Sequence, residues 1–297
     1  MRLIVTQKPE NGVLGGPKEL TFSMRYGNAD YELSIEQCIQ RTITVASKGM
    51  VSYSDLLEVY YSLETLLMLF DGQFYPVVSA FEDDIEITQS WKKRALPSYS
   101  SADFMQGAGN VLINFESVVN ADRLIKWISL REELDIIHNM VLYCFSSVQI
   151  PKDVQCAFVI EAFKGMSTII EKERPNIKFQ KDRYGHAYLK SALLYFLKEY
   201  GQSIFAEETN RNLDEFAQIL ANSRNRIAHI KSEQVTDYLD ESLHLLYLMK
   251  LSLLYRIVIL DLLGVSSGIN EDCLIKRVQW INEHDAIANF LQKLGEL

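Results

Sequence analysis

Cysteine is scarce in this chain. Of 297 residues only Cys38, Cys144, Cys156 and Cys273 carry a thiol, and no two are close enough in sequence to form a CxxC pair. That spacing argues against a disulfide framework and against a zinc site built on cysteine, and it predicts reduced thiols, several of them buried. No Gly-rich phosphate loop is present. Gly15-Gly16-Pro17 is not followed by Lys-Ser/Thr and opens no helix, so it reads as a turn. There is no GxSxG elbow, and no two histidines have the H-x3-H spacing that would bring two imidazoles to one metal; His138, His186, His244 and His284 stand apart. Neither a metal nor a cofactor is therefore expected. An excess of positive charge is also missing. The net charge is −9, so any nucleic acid has to be met by a local basic groove, not by a basic surface as a whole.

Long uncharged apolar runs are absent too. Met1-Arg2-Leu3-Ile4-Val5-Thr6 is too short in its apolar part to be a secretion signal. The most apolar stretch, from Leu243 to Val265, contains Lys250, Arg256 and Asp261. Three ionised groups argue against a bilayer span, so this stretch is expected to be a long core helix, with no membrane partner and a cytoplasmic location. Hydrophobic residues make up 48% of the chain, enough for a sizeable core without staples.

The expected fold class is α+β. The first ninety or so residues alternate apolar and polar positions over Leu20–Tyr26 and Tyr31–Ile35. A β-branched run follows over Thr42–Ala46, as in an antiparallel meander. A helix capped by Ser52 or Ser54 recurs through Leu56, Leu63 and Phe70 and stops at Asp71-Gly72, and a strand is expected over Phe74–Ala80. A boundary is expected within 82–110, giving a β-rich domain over 1–95 and a helical domain over 96–297. The helices expected there cover Asp122–Phe145, Asp153–Glu173, His186–Gly201, Asn212–His229, Val235–Leu263 and Cys273–Leu294.

One cluster carries a chemical suggestion: Asn222-Ser223-Arg224-Asn225-Arg226-Ile227-Ala228-His229, at the end of a predicted helix. Histidine transfers protons near neutrality, and arginine stays charged and grips phosphate oxygens through paired N–H groups. The string resembles the Arg-polar-x-x-x-His signature of HEPN domains in its RNxxAH form. The chain order agrees, with helices before the motif and a long apolar helix after it, and the resemblance covers roughly residues 150–265. The strand-rich leader is similar to that of the ApeA group of HEPN proteins.

The resemblance implies a metal-independent ribonuclease of defence or toxin type, in which the 2′-hydroxyl attacks the neighbouring phosphate. His229 would then be the acid or base, Arg224 the stabiliser of the transition state, and Asn225 the residue that orients them. Glu161 on a preceding helix and Arg226 would be supporting residues. The resemblance also implies a homodimer through the HEPN domain, an RNA substrate, and a trigger or regulator acting on the N-terminal region. Lys178, Lys181 and Arg183, with Phe179 and Tyr184 interleaved, are candidates for RNA contact; a solvated inter-helix loop is the plainer alternative. The rival reading is a non-catalytic HEPN module that dimerises or binds a nucleotide or protein. In a third reading the 235–263 helix is a protein interface. In a straight helix, positions five apart diverge by roughly 140°. The sequence thus requires either an irregularity near Arg224 or a long side chain that wraps back.

Overall fold

A computed structural model describes residues 1–8, 16–94, 109–146, 150–229, 237–283, 291, 294 and 295, without the side chains of 92–94 and 229. The sheet has six strands: β1 (Arg2–Gln7), β2 (Lys18–Tyr26), β3 (Ala29–Gln37), β4 (Arg41–Ser47), β5 (Val77–Glu82) and β6 (Ile85–Glu86). Its order is β2-β3-β4-β1-β5-β6, antiparallel throughout. The meander expected from the sequence holds for β2 to β4. Gly27, with φ of 58°, makes the tight turn between β2 and β3. β1 departs from the meander by inserting between β4 and β5, with Leu3 and Val5 buried at alternate positions.

Helix α1 (Tyr53–Asp71) covers one face of the sheet. Ser52 is its cap: the Ser52 hydroxyl accepts from Asp55 N while the Asp55 carboxylate accepts from Ser52 N. Gly72 ends it in the left-handed conformation. The strand expected over 74–80 lies at Val77–Glu82, and a short helix, α2 (Thr88–Arg94), falls where only a boundary was expected. The proposed division between residues 95 and 96 lies outside the described residues.

The remaining described helices are α3 (Ala121–Leu134), α4 (Ile136–Phe145), α5 (Lys152–Glu173), α6 (Leu189–Tyr200), α7 (Ala206–His229), α8 (Glu241–Leu262) and α9 (Glu271–Asn282). Three expectations need correction. The single helix expected over 122–145 is two, broken at Asp135, whose φ of 39° and ψ of −115° are not helical. α6 starts at Leu189 and not His186, because residues before it form a hairpin closed by a Lys181–Ala187 bridge. α8 starts at Glu241 and not Val235, and residues 230–236 lie outside the description. Most of the expected last helix beyond Asn282, His284 included, is also outside the described residues.

α8 is long and apolar enough to cross a membrane, yet 89% of its most apolar window is buried inside the protein. It is the central post of the fold, and this burial removes it as an exposed interface. Its two buried cations anchor its neighbours. Arg256 donates to the carbonyls of Leu69 and Phe70 at the end of α1 and to Asn110. Lys250 meets Glu208 of α7 at 2.5 Å. One apolar cluster runs from Leu3 and Val45 of the sheet, through Leu63 of α1, to Leu254 and Leu260 of α8. The molecule is thus an antiparallel sheet joined through α1 to a helical bundle, the α+β arrangement expected.

A candidate phosphate-handling site on helix α7

The residues singled out in the sequence sit on the second half of α7. The first half is pinned by Glu208. The helix then kinks at Asn212, whose φ of −160° and ψ of 89° are not helical. The cause is local: the Asn212 carbonyl oxygen of the side chain accepts from Glu215 N at 3.1 Å, so Asn212 acts as the cap of a new helical segment. From there the helix is continuous to His229. Arg224 therefore lies in regular helix twelve residues past the kink, without the irregularity that was one of the alternatives there.

Phe216, Ala217, Leu220 and Ala221 form the buried stripe of this segment. Counting about 100° per residue, position 224 continues that stripe toward α5, whereas positions 225 and 229 lie about 100° and 140° around from it and about 40° from each other. The end of the segment is tied down by its own polar residues. The Asn222 amide donates to the carbonyl of Asp237 at 2.8 Å, and the Ser223 hydroxyl accepts from Leu239 N at 2.8 Å. The chain returning toward α8 is thereby fixed against α7.

Arg224 is held on two sides. Its Nε is 2.6 Å from Glu161 Oε2 of α5, with side chains 21% and 31% exposed. This is an ion-pair contact without hydrogen-bond alignment, since Glu161 Oε2 has no hydrogen-bond partner among the described residues. On the other side Arg224 Nη1 donates to Asn225 Oδ1 at 3.2 Å. Glu161, Arg224 and Asn225 thus form one contiguous group across α5 and α7. His229 is the last residue of α7, and its side chain lies outside the described residues.

Arg226 points elsewhere. Its guanidinium lies 3.8 Å from the centre of the Tyr238 ring. Arg224 and Arg226, two residues apart, lie about 200° apart around the helix, so they serve opposite sides of it.

Lys178, Lys181 and Arg183 belong to the hairpin between α5 and α6. Asp182 shapes its tip by accepting from Tyr184 N and His186 N. Lys181 is paired with Glu171 at 2.6 Å, which is why that carboxyl is held below its ordinary range. Arg183 bonds Tyr184 Oη at 2.6 Å and lies over the same ring. Lys178 is exposed. Phe179 is buried against Tyr195 and Phe196, so it offers no face for stacking; Tyr184, 69% exposed, does. The hairpin folds back along α5, with Lys181 on Glu171 and Asp182 within electrostatic reach of Lys164, one turn from Glu161.

The other lone histidines divide by burial. His138 is enclosed, with Nδ1 2.9 Å from Tyr255 Oη and its ring edge-on to Trp127, and burial pushes its pKa down to about 3. His244, at the start of α8, is half-buried, and its pKa is also lowered, chiefly by desolvation. It lies near Arg226, a neighbour that sequence spacing had not supplied; the only hint was its place one turn after the acidic start of α8. Among the described residues no group of three or more His, Cys, Asp or Glu side chains is placed to hold a metal ion.

Residues 151–269 match the family model described as Apea-like HEPN. No curated protein and no solved structure matches the chain. The matched segment runs from the start of α5 to the turn after α8, and so contains Glu161, the basic hairpin and the Arg224–His229 string. Over these residues, 151–269, the match supports a HEPN assignment for this part of the chain.

Proposed function

We propose that the protein is a metal-independent endoribonuclease that cleaves RNA by attack of a 2′-hydroxyl on the adjoining phosphate. The observation that carries this reading is the Glu161–Arg224–Asn225 group, set on the α7 segment that ends at His229, within an Apea-like HEPN domain. In this mechanism Arg224 neutralises charge growing on the phosphorane oxygens, with its orientation set by Glu161 and Asn225. His229 takes the proton from the 2′-hydroxyl or returns one to the leaving 5′-oxygen. One histidine does not do both at once. Positions 224 and 229 also diverge by about 140° on a continuous helix, so a complete site calls for residues from a second copy. The active species is accordingly a homodimer that meets through the HEPN domains. Defence against phage, or growth arrest, is the role that suits such an activity, in the cytoplasm, with the sheet region receiving a trigger.

A second reading has its own support. The Glu161–Arg224 pair also fits an arginine committed to holding α7 on α5, as in a HEPN module that dimerises or binds a partner without cleaving. The two readings separate in one experiment. Purified wild type and His229→Ala are incubated with total RNA in EDTA, and the fragment ends are characterised. The nuclease reading expects cleavage by wild type alone, leaving cyclic phosphate and 5′-hydroxyl ends. Equal cleavage by both proteins removes His229 from the mechanism, and no cleavage by either puts the module reading first.

A further inference from the structure

Opposite the Glu161–Arg224 pair, on the other side of α7, the fold encloses a cavity of about 570 Å3. That volume falls within the roughly 300–1,000 Å3 of small-molecule sites. Three elements meet there: the beginning of α5, the end of α7 and the beginning of α8. Lys152, Asp153, Arg226, Tyr238, Glu241 and His244 supply the polar part of the lining, and Ile227 and Leu245 supply apolar wall.

The two arginines of the motif differ in how their charge is met. Arg224 faces a carboxylate at 2.6 Å. The Arg226 guanidinium is placed over the Tyr238 ring, 3.8 Å from its centre, and among the described residues no carboxylate stands within ion-pair distance of it. A guanidinium laid over an aromatic ring directs its N–H groups outward in its own plane, the arrangement that grips a phosphate.

The rest of the cavity carries charge of both signs. Lys152 brings a second cation and is propped by the Gln155 side chain, whose oxygen accepts from Lys152 Nζ at 3.0 Å. The Gln155 amide nitrogen is fully buried and has no partner among the described residues. α5 and α8 both begin at the cavity, and neither N-cap residue makes a side-chain cap, although Asp153 Oδ1 accepts from Val154 N in the first turn of α5. The helix starts therefore add positive potential to that of the two cations. Asp153 and Glu241 are the acceptors on the wall, and His244 has Asp153, Glu241, Asp240 and Arg226 as its charged neighbours.

We propose that this cavity is a subsite for one nucleotide of the RNA strand, with a phosphate on Arg226 and Lys152 and the base against Tyr238. The proposal rests on the ribonuclease reading for the identity of the strand, and on the cavity alone for the chemistry of the ligand. It also carries a base preference. Carboxylates accept from exocyclic amino groups, which adenine, cytosine and guanine have and uracil lacks. With Asp153 and Glu241 as the acceptors, the cavity favours amino-bearing bases.

The test uses the full chain, with adenosine 5′-monophosphate, uridine 5′-monophosphate and inorganic phosphate as probes, each titrated by calorimetry. Saturable binding of the adenosine nucleotide is expected, with the uridine nucleotide and phosphate alone each weaker. Arg226→Ala and Tyr238→Leu should each weaken it by on the order of tenfold, the loss of one charge-assisted contact or one stacking surface. If Arg226→Ala does not fold, Arg226→Lys, which keeps the charge and loses the planar fork, should give a smaller weakening.

No saturable binding by wild type overturns the proposal, as does binding that both folded variants retain in full. The adenosine nucleotide should also inhibit RNA cleavage by competition. RNA cleavage that it does not inhibit overturns the subsite and leaves the ribonuclease reading standing. Binding that depends on Arg226, in a protein that cleaves no RNA, overturns the ribonuclease reading and with it the assignment of the ligand to a substrate strand.

Discussion

Glu208 and Lys250 are both completely buried, with their charged atoms 2.5 Å apart, and Tyr247 Oη donates to the same carboxylate oxygen at 3.1 Å. Burial lowers the Lys250 pKa even with the carboxylate beside it. A buried pair of this kind adds little net stability over an apolar pair, but removing one partner strands the other charge, at a cost of about 3–5 kcal/mol. Glu208→Leu should therefore destabilise the protein by about 4 kcal/mol, whereas Glu208→Leu with Lys250→Met should recover most or all of that loss. The unfolding entropy of a chain of 297 residues is roughly 0.6 kcal/mol per kelvin, so the single variant should melt about 6 °C lower. The assay is urea and thermal unfolding followed by far-ultraviolet circular dichroism, for the wild type, both single variants and the double variant. Glu208→Leu has a further signature. A stranded lysine with a depressed folded pKa binds fewer protons in the fold than in the unfolded chain, so stability rises with pH as the lysine loses its proton. The deficit of the variant should shrink as the pH is raised toward the ordinary lysine range. If Glu208→Leu and the double variant unfold within about 1 kcal/mol of each other at neutral pH, the reasoning from stranded charge is refuted.

Glu64, buried under the sheet with Gln7 and Tyr60 donating to it, has its pKa raised by burial from 4.5 to about 7. The fold then holds a proton that the unfolded chain releases, so stability falls by about 3 kcal/mol as pH rises through that window, and Glu64→Gln should abolish the fall. His138, at about 3, acts in the opposite sense below its ordinary 6.5, so Glu64→Gln should uncover a stability that rises with pH there; a flat denaturation profile for the variant over pH 4 to 6.5 would contradict the His138 assignment. Arg256→Met leaves the carbonyls of Leu69, Phe70 and Asn110 without their donor in the core and should cost more than about 3 kcal/mol, measured by urea unfolding. Gly72→Ala should act at the same joint, because a Cβ there would sit 2.3 Å from Arg256 Nη1 at a residue with φ of 72°; a loss below about 0.5 kcal/mol would show that the joint yields.

The strands β2 to β4, helix α1 and helix α5 were legible because each carries an unbroken period and strong punctuation. Ser52-x-x-Asp55 and Gly72 mark the two ends of α1, and Pro151 and Pro175 bracket α5. What failed to show was long-range or side-chain-made. Nothing local in Arg2–Gln7 says that it pairs with both β4 and β5, since pairing with a strand some seventy residues later is a tertiary fact. The break at Asp135 interrupts a helix whose apolar period carries on through it, from Leu134 to Ile137 and Val141. The kink at Asn212 was half visible, as the asparagine where a helix was expected to start; the turn before it is helical because Glu208 is drawn into the core by Lys250 and Tyr247. At the candidate site the string Arg224–His229 announced itself by residue type. The division of its arginines between two sides of α7, one onto Glu161 and one onto Tyr238, depends on which face α5 covers, and only the fold settles that.

In a protein that cleaves RNA, the Glu161–Arg224 pair tests whether Arg224 takes part in the reaction or only fastens α7 to α5, because stability and activity respond to different properties of it. The pair is partly exposed, at 31% and 21%, and has no hydrogen-bond alignment. Removing the carboxylate by Glu161→Gln should cost at most about 1 kcal/mol in either reading, since solvent screens the cation left behind. The fold is therefore not at risk, and any change in function has to come from the arginine's orientation or charge. If Arg224 stabilises a transition state, loss of its orienting partner should lower kcat by on the order of tenfold with little change in KM, because the interaction matters most as charge develops on the phosphate. Arg224→Lys should fall further, since a point charge does not replace a planar fork. If the pair only fastens α7 to α5, Glu161→Gln and Arg224→Lys should leave cleavage of RNA by a folded dimer unchanged. Unchanged kcat in both variants, with melting temperatures near wild type, would remove Arg224 from the reaction and leave its charge to the architecture of the bundle.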